Sequence, residues 1–260
     1  MNNLDLRADR SRIPQRIDED DHWWFASRTR ALETILAKHS RRRDMMILDI
    51  GSGAGNMYHH LSRYGDVIGI ENHPAPVKVG QARGYDIRLG DATALDLPDA
   101  SFDLVTALDV IEHNDDDLAI LREANRVLRP GGLVLISVPA FQWLWSFNDD
   151  LNDHKRRYTA GDLEAKLRTT GFTPLQSSYN NFLVFPLAAG MIALNKRKEA
   201  PDALKSHYFD DDAYQVDMQP THPLVNRLLT GVGIAEQQLL KVASLPIGTG
   251  LITIARKNGG

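Results

Sequence analysis

The chain has no cysteine in its 260 residues. Disulfides, thiolate metal sites and a cysteine nucleophile are thereby excluded. Nor is there an excess of positive charge. Thirty lysines and arginines against 34 acids give a formal net charge of −4, whereas a dedicated nucleic-acid binder is usually basic, so no nucleic-acid partner is expected. No apolar run reaches the roughly 20 residues of a membrane-spanning helix. The nearest approach, FLVFPLAAGMIAL (182–194), is too short and carries Pro186 and Gly190; it reads as a buried or a surface-associated helix. The first residues, MNNLDLRADRSRIPQ, have no apolar signal-peptide core, and the expectation is a cytoplasmic protein. Internal repeats and low-complexity tracts are absent, no metal site is expected, and nothing sets an oligomeric state.

What is present is an ordered alternation of short apolar runs and helical patterns. Arg28 to Lys38 has helical spacing through Leu32, Ile35 and Leu36. Strands are expected at Met46–Ile50, Val67–Ile70, Tyr85–Gly90, Phe102–Asp109 and Leu133–Pro139. The segment DDDLAILREANRVLR between the last two has apolar residues at helical spacing, acids at its start and arginines at its end, as the helix dipole prefers. Such alternation indicates a parallel sheet covered on both faces. After Pro139 comes a polar, aromatic stretch to Thr159, a helix AGDLEAKLRTTG, a strand near 173–178 and a long irregular region. The chain closes on GLITIARK, a last strand. The expected division is an N-terminal lid and first helix (1–44), an α/β core (45–178), a helical cap (179–246) and a final core strand (247–260).

The stretch LDIGSGAGN follows the first strand and carries Gly51, Gly53 and Gly55. In a doubly wound sheet this loop lies at a ligand-binding edge. The dinucleotide fingerprint wants a sixth-position glycine, and Asn56 stands there; a phosphate loop wants Gly-Lys-Ser/Thr, which is lacking. Three acids surround the loop: Asp49 before it, Glu71 at the end of the second strand, and Asp91 after the third. Glu71 falls where such folds place an acid on ribose hydroxyls. A ligand with an adenosine, a cationic part near Asp49 and no phosphates suits this set. S-adenosylmethionine meets that description better than a pyrophosphate cofactor.

ILDIGSGAGN, GIENH, GDATALDLPDASFDLVTALDVIEH and RVLRPGGLVLISVP resemble, in order and spacing, the successive motifs of class I S-adenosylmethionine-dependent methyltransferases. The resemblance spans Met45 to Pro139 and implies a seven-stranded, mostly parallel doubly wound sheet, Rossmann-like, with one antiparallel strand near the C-terminus and S-adenosyl-L-methionine as cofactor. It implies that Gly51, Ser52 and Gly53 meet the methionine part, Glu71 with Asn72 the ribose, Asp91 and Ala92 the adenine, and Asp109 and Val110 the sulfonium side. EDDHWWFASRTR and VPAFQWLWSFNDDLNDHKRRYT are similar to one bacterial branch of that superfamily. DHWWFASR reads as a lid, with Trp24 over the cofactor and Arg28 as the cation for its carboxylate.

A hydroxyl acceptor gains from a base, and histidine suits that task near neutral pH. His154 and His113 lie on loops expected to meet at the carboxyl edge, with Tyr158 close by; proximity without a base is the plainer reading. Arg156 and Arg157 are read as cations for a charged acceptor, or as partners of Asp149, Asp150 and Asp153. DVIEH stands where amino-directed DNA methyltransferases carry Asn/Asp-Pro-Pro-aromatic. A small-molecule or lipid-linked acceptor, with peripheral membrane contact through the 182–194 helix and the NKRK that follows, is the expected partner. A nicotinamide-dependent oxidoreductase and a non-catalytic cofactor-binding module are the alternatives.

Overall fold

The computed structural model describes residues 18–195 and 221–259. Lys196, Arg197 and Lys198 of the expected cationic helix end lie outside these residues, as does the chain before Asp18. Seven strands form one sheet: β1 (Met45–Ile50), β2 (Gly65–Glu71), β3 (Ile87–Leu89), β4 (Phe102–Leu108), β5 (Leu128–Pro139), β6 (Phe172–Asn180) and β7 (Gly250–Lys257), in the order β3-β2-β1-β4-β5-β7-β6. β7 is antiparallel to both its neighbours, while β1 to β5 pair in parallel. The helices are α1 (Trp23–His39), α2 (Tyr58–Leu61), α3 (Pro74–Ala82), α4 (Asp117–Val127), α5 (Phe147–Leu151), α6 (Ala160–Thr169), α7 (Phe185–Asn195) and α8 (Pro223–Val242).

Alternating side chains of the central strands enter different apolar layers, as strand geometry requires. Leu48, Val105, Val134 and Ile136 join Ile120, Leu121, Leu163 and Leu167 of α4 and α6 on one face. Ile47, Leu104, Leu133 and Leu135 join Leu32, Ile35 and Leu36 of α1 and Leu240 of α8 on the other. Both faces are covered, which is why the strands read as near-continuous apolar runs.

Several boundaries differ from expectation, two of them in the later half of the sheet. β5 begins at Leu128, not Leu133, because Phe102 pairs with Leu128 across an irregularity in the ladder. β6 runs through Asn180, paired with Gly250, two residues into the segment read as cap. Within that segment α8 lies along α1: Asn226 accepts from the Trp23 amide, Gln237 meets Thr34, and Lys38 donates to the Leu240 carbonyl. It therefore completes a layer of the core. Among the described residues of that segment, α7 stands near the carboxyl edge, where Phe185 packs edge-on to Trp143.

Candidate active site

At the end of β1 the backbone turns sharply, with Gly51 at φ +68° and Gly53 at φ +53°. A Cβ on Gly51 would lie 2.3 Å from Val110 Cγ2, so the absent side chain makes room for the β4 loop. The amides of Gly51 and Ser52 both donate to Ile70 O (2.8 and 3.1 Å), and that of Gly53 donates to Glu71 Oε2 (3.0 Å). Donors that a pyrophosphate would need are spent within the protein.

Glu71 also accepts from the His73 amide at 3.0 Å, and its own carbonyl receives Gly90 N–H at 2.9 Å. The 90–92 turn is thereby set beside Glu71. Asp91 is exposed and accepts from Thr93 N and Oγ1, both at 2.8 Å, which holds its carboxyl below the ordinary range. Asn72 is exposed and Ala92 half-buried at the same edge.

Asp49 is buried and takes a 2.6 Å hydrogen bond from Thr106 Oγ1. Burial pushes its carboxyl up to about 6, against the pull of Thr106 and Arg28. Arg28, from the second turn of α1, stands 3.0 Å from Asp109 Oδ2, an ion pair that misses the Nε–H direction. Asp109 has φ +56° and accepts from Ser137 Oγ at 2.8 Å. Ser52 Oγ is buried with no hydrogen-bond partner. A nucleoside carrying a cation and a carboxylate fits this surround: acids at Asp49 and Glu71, a guanidinium at Arg28, and an unpaired hydroxyl at Ser52.

The stretch from Ala140 to Tyr158 leaves the sheet and returns to it. Ala140 bridges Tyr158, with Phe141 N donating to Tyr158 O and Tyr158 N to Pro139 O, both at 2.9 Å. Lys155 N donates to Glu112 O at 2.8 Å, pinning the tip of this excursion on the turn after β4. As a result His154 meets His113, their rings edge-on with centroids 4.8 Å apart. The two histidines read from sequence are thus brought together. Four of the five non-glycine residues with positive φ among the described residues, Asp109, Phe141, Asp153 and Asn181, sit at this edge, where strain is commonly held for function.

The three residues that end this loop make contacts within the protein, and for Tyr158 this corrects the expectation. Tyr158 is wholly buried and its hydroxyl donates to Asp117 Oδ2 at 2.7 Å, so burial and that carboxylate push its ionisation far up; it is a packing residue, not an acid or base. Arg157 forms a two-pronged pair with buried Asp149, at 2.7 and 2.8 Å. Arg156 pairs with Asp117 at 3.1 Å and donates to Asp115 O. Both arginines thus close the loop from within: Arg157 has one of the acidic partners read for it, Asp149, while Arg156 takes the more distant Asp117. Trp23 and Trp24, expected ahead of the first helix, are its first two residues, set edge-to-face at 5.4 Å.

The residue that sequence reading passed over is Glu112. It is fully buried, neither carboxylate oxygen has a hydrogen-bond partner, and burial followed by the nearby Asp109 charge pushes its carboxyl well above the ordinary range. The signal was present in DVIEH, an acid directly behind a buried isoleucine. Asp149, partner of His154 Nδ1 at 2.9 Å, was read only as a neighbour of the arginines.

Residues 48–136 match the methyltransferase domain family. The chain is 35% identical over 158 residues to a probable S-adenosylmethionine-dependent methyltransferase of Mycolicibacterium smegmatis, covering 59% of this chain and 60% of that one. It is 35% identical over 102 residues to a ubiquinone biosynthesis O-methyltransferase of Azorhizobium caulinodans, 36% of this chain and 40% of the relative. The chain thus spans between two fifths and three fifths of the length of these relatives. Among solved structures, a putative sarcosine dimethylglycine methyltransferase from Galdieria sulphuraria superposes with a TM-score of 0.57 at 16% identity, over 90% of this chain and 86% of that one, a likeness of fold. Residues 48–136 thus match a methyltransferase domain, and they lie in a seven-stranded sheet whose fold is shared with that solved structure.

Proposed function

We propose that the chain transfers a methyl group from S-adenosyl-L-methionine to a hydroxyl of a small-molecule or lipid-linked acceptor. The carrying observation is the glycine turn whose amides are spent internally between two carboxylates, Asp49 and Glu71. When bound, the cofactor supplies an activated methyl on a sulfonium. Asp49 faces its cationic ammonium, Arg28 its carboxylate, Glu71 the ribose, and the 91–92 turn the adenine. Gly51, Ser52, Gly53 and Val110 line the methionine part, Asn72 adjoins the ribose, and Trp24 covers the entry.

The acceptor side is the space between the turn after β4 and the 140–158 excursion. Orientation there supplies part of the rate, since holding reactants in line replaces a costly encounter. His154 and His113 are the groups placed to deal with the hydroxyl proton. Burial, then the facing His154, lowers the basicity of His113. His154 is oriented by Asp149 through Nδ1. The apolar residues of α7, with Leu187 and Met191 exposed, and the half-exposed Trp143 border this region and suit an apolar acceptor or a lipid surface. The hydroxyl acceptor also agrees with the O-methyltransferase among the relatives.

Incubation with methyl-tritiated cofactor and a deproteinised cell extract tests this. Label should appear in small molecules or the organic phase, in a form stable to mild alkali as an ether is. Label confined to nucleic acid, or to alkali-labile esters, would overturn the acceptor assignment.

A further inference from the structure

We infer that Glu112, His113 and His154 form a site for one divalent first-row transition metal, beside the methyl-transfer position. The ligand atoms of these three side chains lie within 4.8 Å of one another. In a four-coordinate zinc site with bonds near 2.0–2.1 Å, neighbouring ligand atoms stand about 3.3 Å apart, so modest side-chain rotation brings them onto one ion.

Two independent observations point to a cation. Glu112 is wholly buried with both carboxylate oxygens unpartnered, and an isolated buried carboxylate is costly unless it is paired or coordinates a metal. The histidines are also oriented as ligands usually are. His154 Nδ1 is held 2.9 Å from Asp149 Oδ1, a carboxylate fixed in turn by Arg157. The His113 ring faces that of His154 edge-on at 4.8 Å. His154 therefore has Nδ1 engaged by a carboxylate, which leaves Nε2 for an ion, the arrangement that sets tautomer and direction at metal centres. The 140–158 excursion, with its backbone tie to Glu112 and the strained Asp153, exists at this point to carry His154 to the turn after β4.

Two imidazoles and one carboxylate suit zinc, iron(II), manganese or cobalt rather than magnesium or calcium, which prefer oxygen alone. Three protein ligands leave coordination positions open, as catalytic sites do. The ion would retain a net positive charge and draw acceptors that present hydroxyl or carboxylate oxygens, taking over the role that a histidine base would have. That role rests on the methyltransferase reading; the binding of the ion does not. In a second cluster, Asp20, His59 and His60, both Asp20 oxygens are already taken up by the two imidazoles (2.8 and 2.9 Å) and His60 Nδ1 is paired with Glu33, so it carries no such inference.

The test uses the full chain stripped with chelator and titrated with Zn2+ by calorimetry and with Co2+ by visible absorption. The expected result is one ion per chain and a cobalt spectrum of a low-coordinate site. Glu112→Gln and His154→Ala should each weaken Zn2+ by at least about a hundredfold, since even a supporting residue costs ten- to a hundredfold. His59→Ala should leave it unchanged. Glu112→Gln removes a buried charge and should fold, which keeps its result readable. Absence of binding, or binding lost in His59→Ala and kept in Glu112→Gln, overturns the proposal. Titration of S-adenosylhomocysteine into the same samples separates the two readings: cofactor bound without metal sinks only the ion site, and metal bound without cofactor sinks only the methyltransferase reading.

Discussion

Asp49 gives the sharpest quantitative expectation. Its carboxyl lies near 6 because burial outweighs the Thr106 hydrogen bond and Arg28. If the ionised form receives the cofactor's ammonium, affinity is full at pH 8 and falls as pH drops through about 6. At pH 5 about nine tenths of the free protein carries the proton, so binding of S-adenosylhomocysteine should be about tenfold weaker, about 1.4 kcal/mol. Asp49→Asn should be weak throughout and flat between pH 5 and 8. The stability of the ligand-free chain moves the opposite way. A folded pKa raised above the unfolded value contributes stability below about pH 4 that is lost as pH rises through about 6. From the ordinary 3.8 to about 6, the cost at pH 8 is about 3 kcal/mol. Asp49→Asn, which can still accept from Thr106, should therefore stabilise the ligand-free chain at pH 8 while weakening cofactor. Calorimetry across pH with thermal melts reads both. An equal pH slope in wild type and Asp49→Asn would refute the reasoning.

Glu71→Ala removes the acceptor of the Gly53 and His73 amides and the proposed ribose contact; at roughly 1.5–3 kcal/mol per charge-assisted bond, cofactor affinity should fall tenfold or more by calorimetry, and a loss below twofold would place the ribose elsewhere. Arg157→Ala strands the buried Asp149 carboxylate, and breaking such a pair costs about 3–5 kcal/mol; the melting temperature should drop by about 10 °C, whereas an unchanged melt with a raised acceptor KM would return Arg157 to the acceptor. Glu236→Ala orphans the Asn181 and Leu183 amides and should cost about 2–4 kcal/mol in denaturant unfolding; a loss under about 0.5 kcal/mol would show that water replaces the carboxylate.

The sheet was legible because each central strand is buried on both faces, and burial leaves an apolar run that no surface strand would carry. That Gly51, Glu71 and Asp91 gather at one sheet edge was legible for a related reason: they sit at fixed offsets from strand ends, and strand ends can be counted. The acceptor side was not. Tyr158, Arg156 and Arg157 follow His154 in sequence and read as one functional group, yet the loop turns Tyr158 and Arg157 inward, to Asp117 and Asp149, partners 41 and eight residues away. Glu112 escaped notice because an acid after a strand is ordinarily solvated, whereas here it is wholly buried beside a turn tied to Lys155, 43 residues on. The position of α8 along α1 depends on contacts some 200 residues apart, such as that between Asn226 and Trp23, which no local pattern encodes.

The central claim is that the glycine turn between Asp49 and Glu71 receives S-adenosylmethionine rather than a pyrophosphate cofactor. Parallel calorimetric titrations of the full chain with S-adenosylhomocysteine and with NAD test it most directly. One molecule of S-adenosylhomocysteine should bind per chain, with at least tenfold loss in Glu71→Ala, and NAD should give no measurable heat. Binding of NAD with affinity equal to or greater than that of S-adenosylhomocysteine, lost in Glu71→Ala, would contradict it.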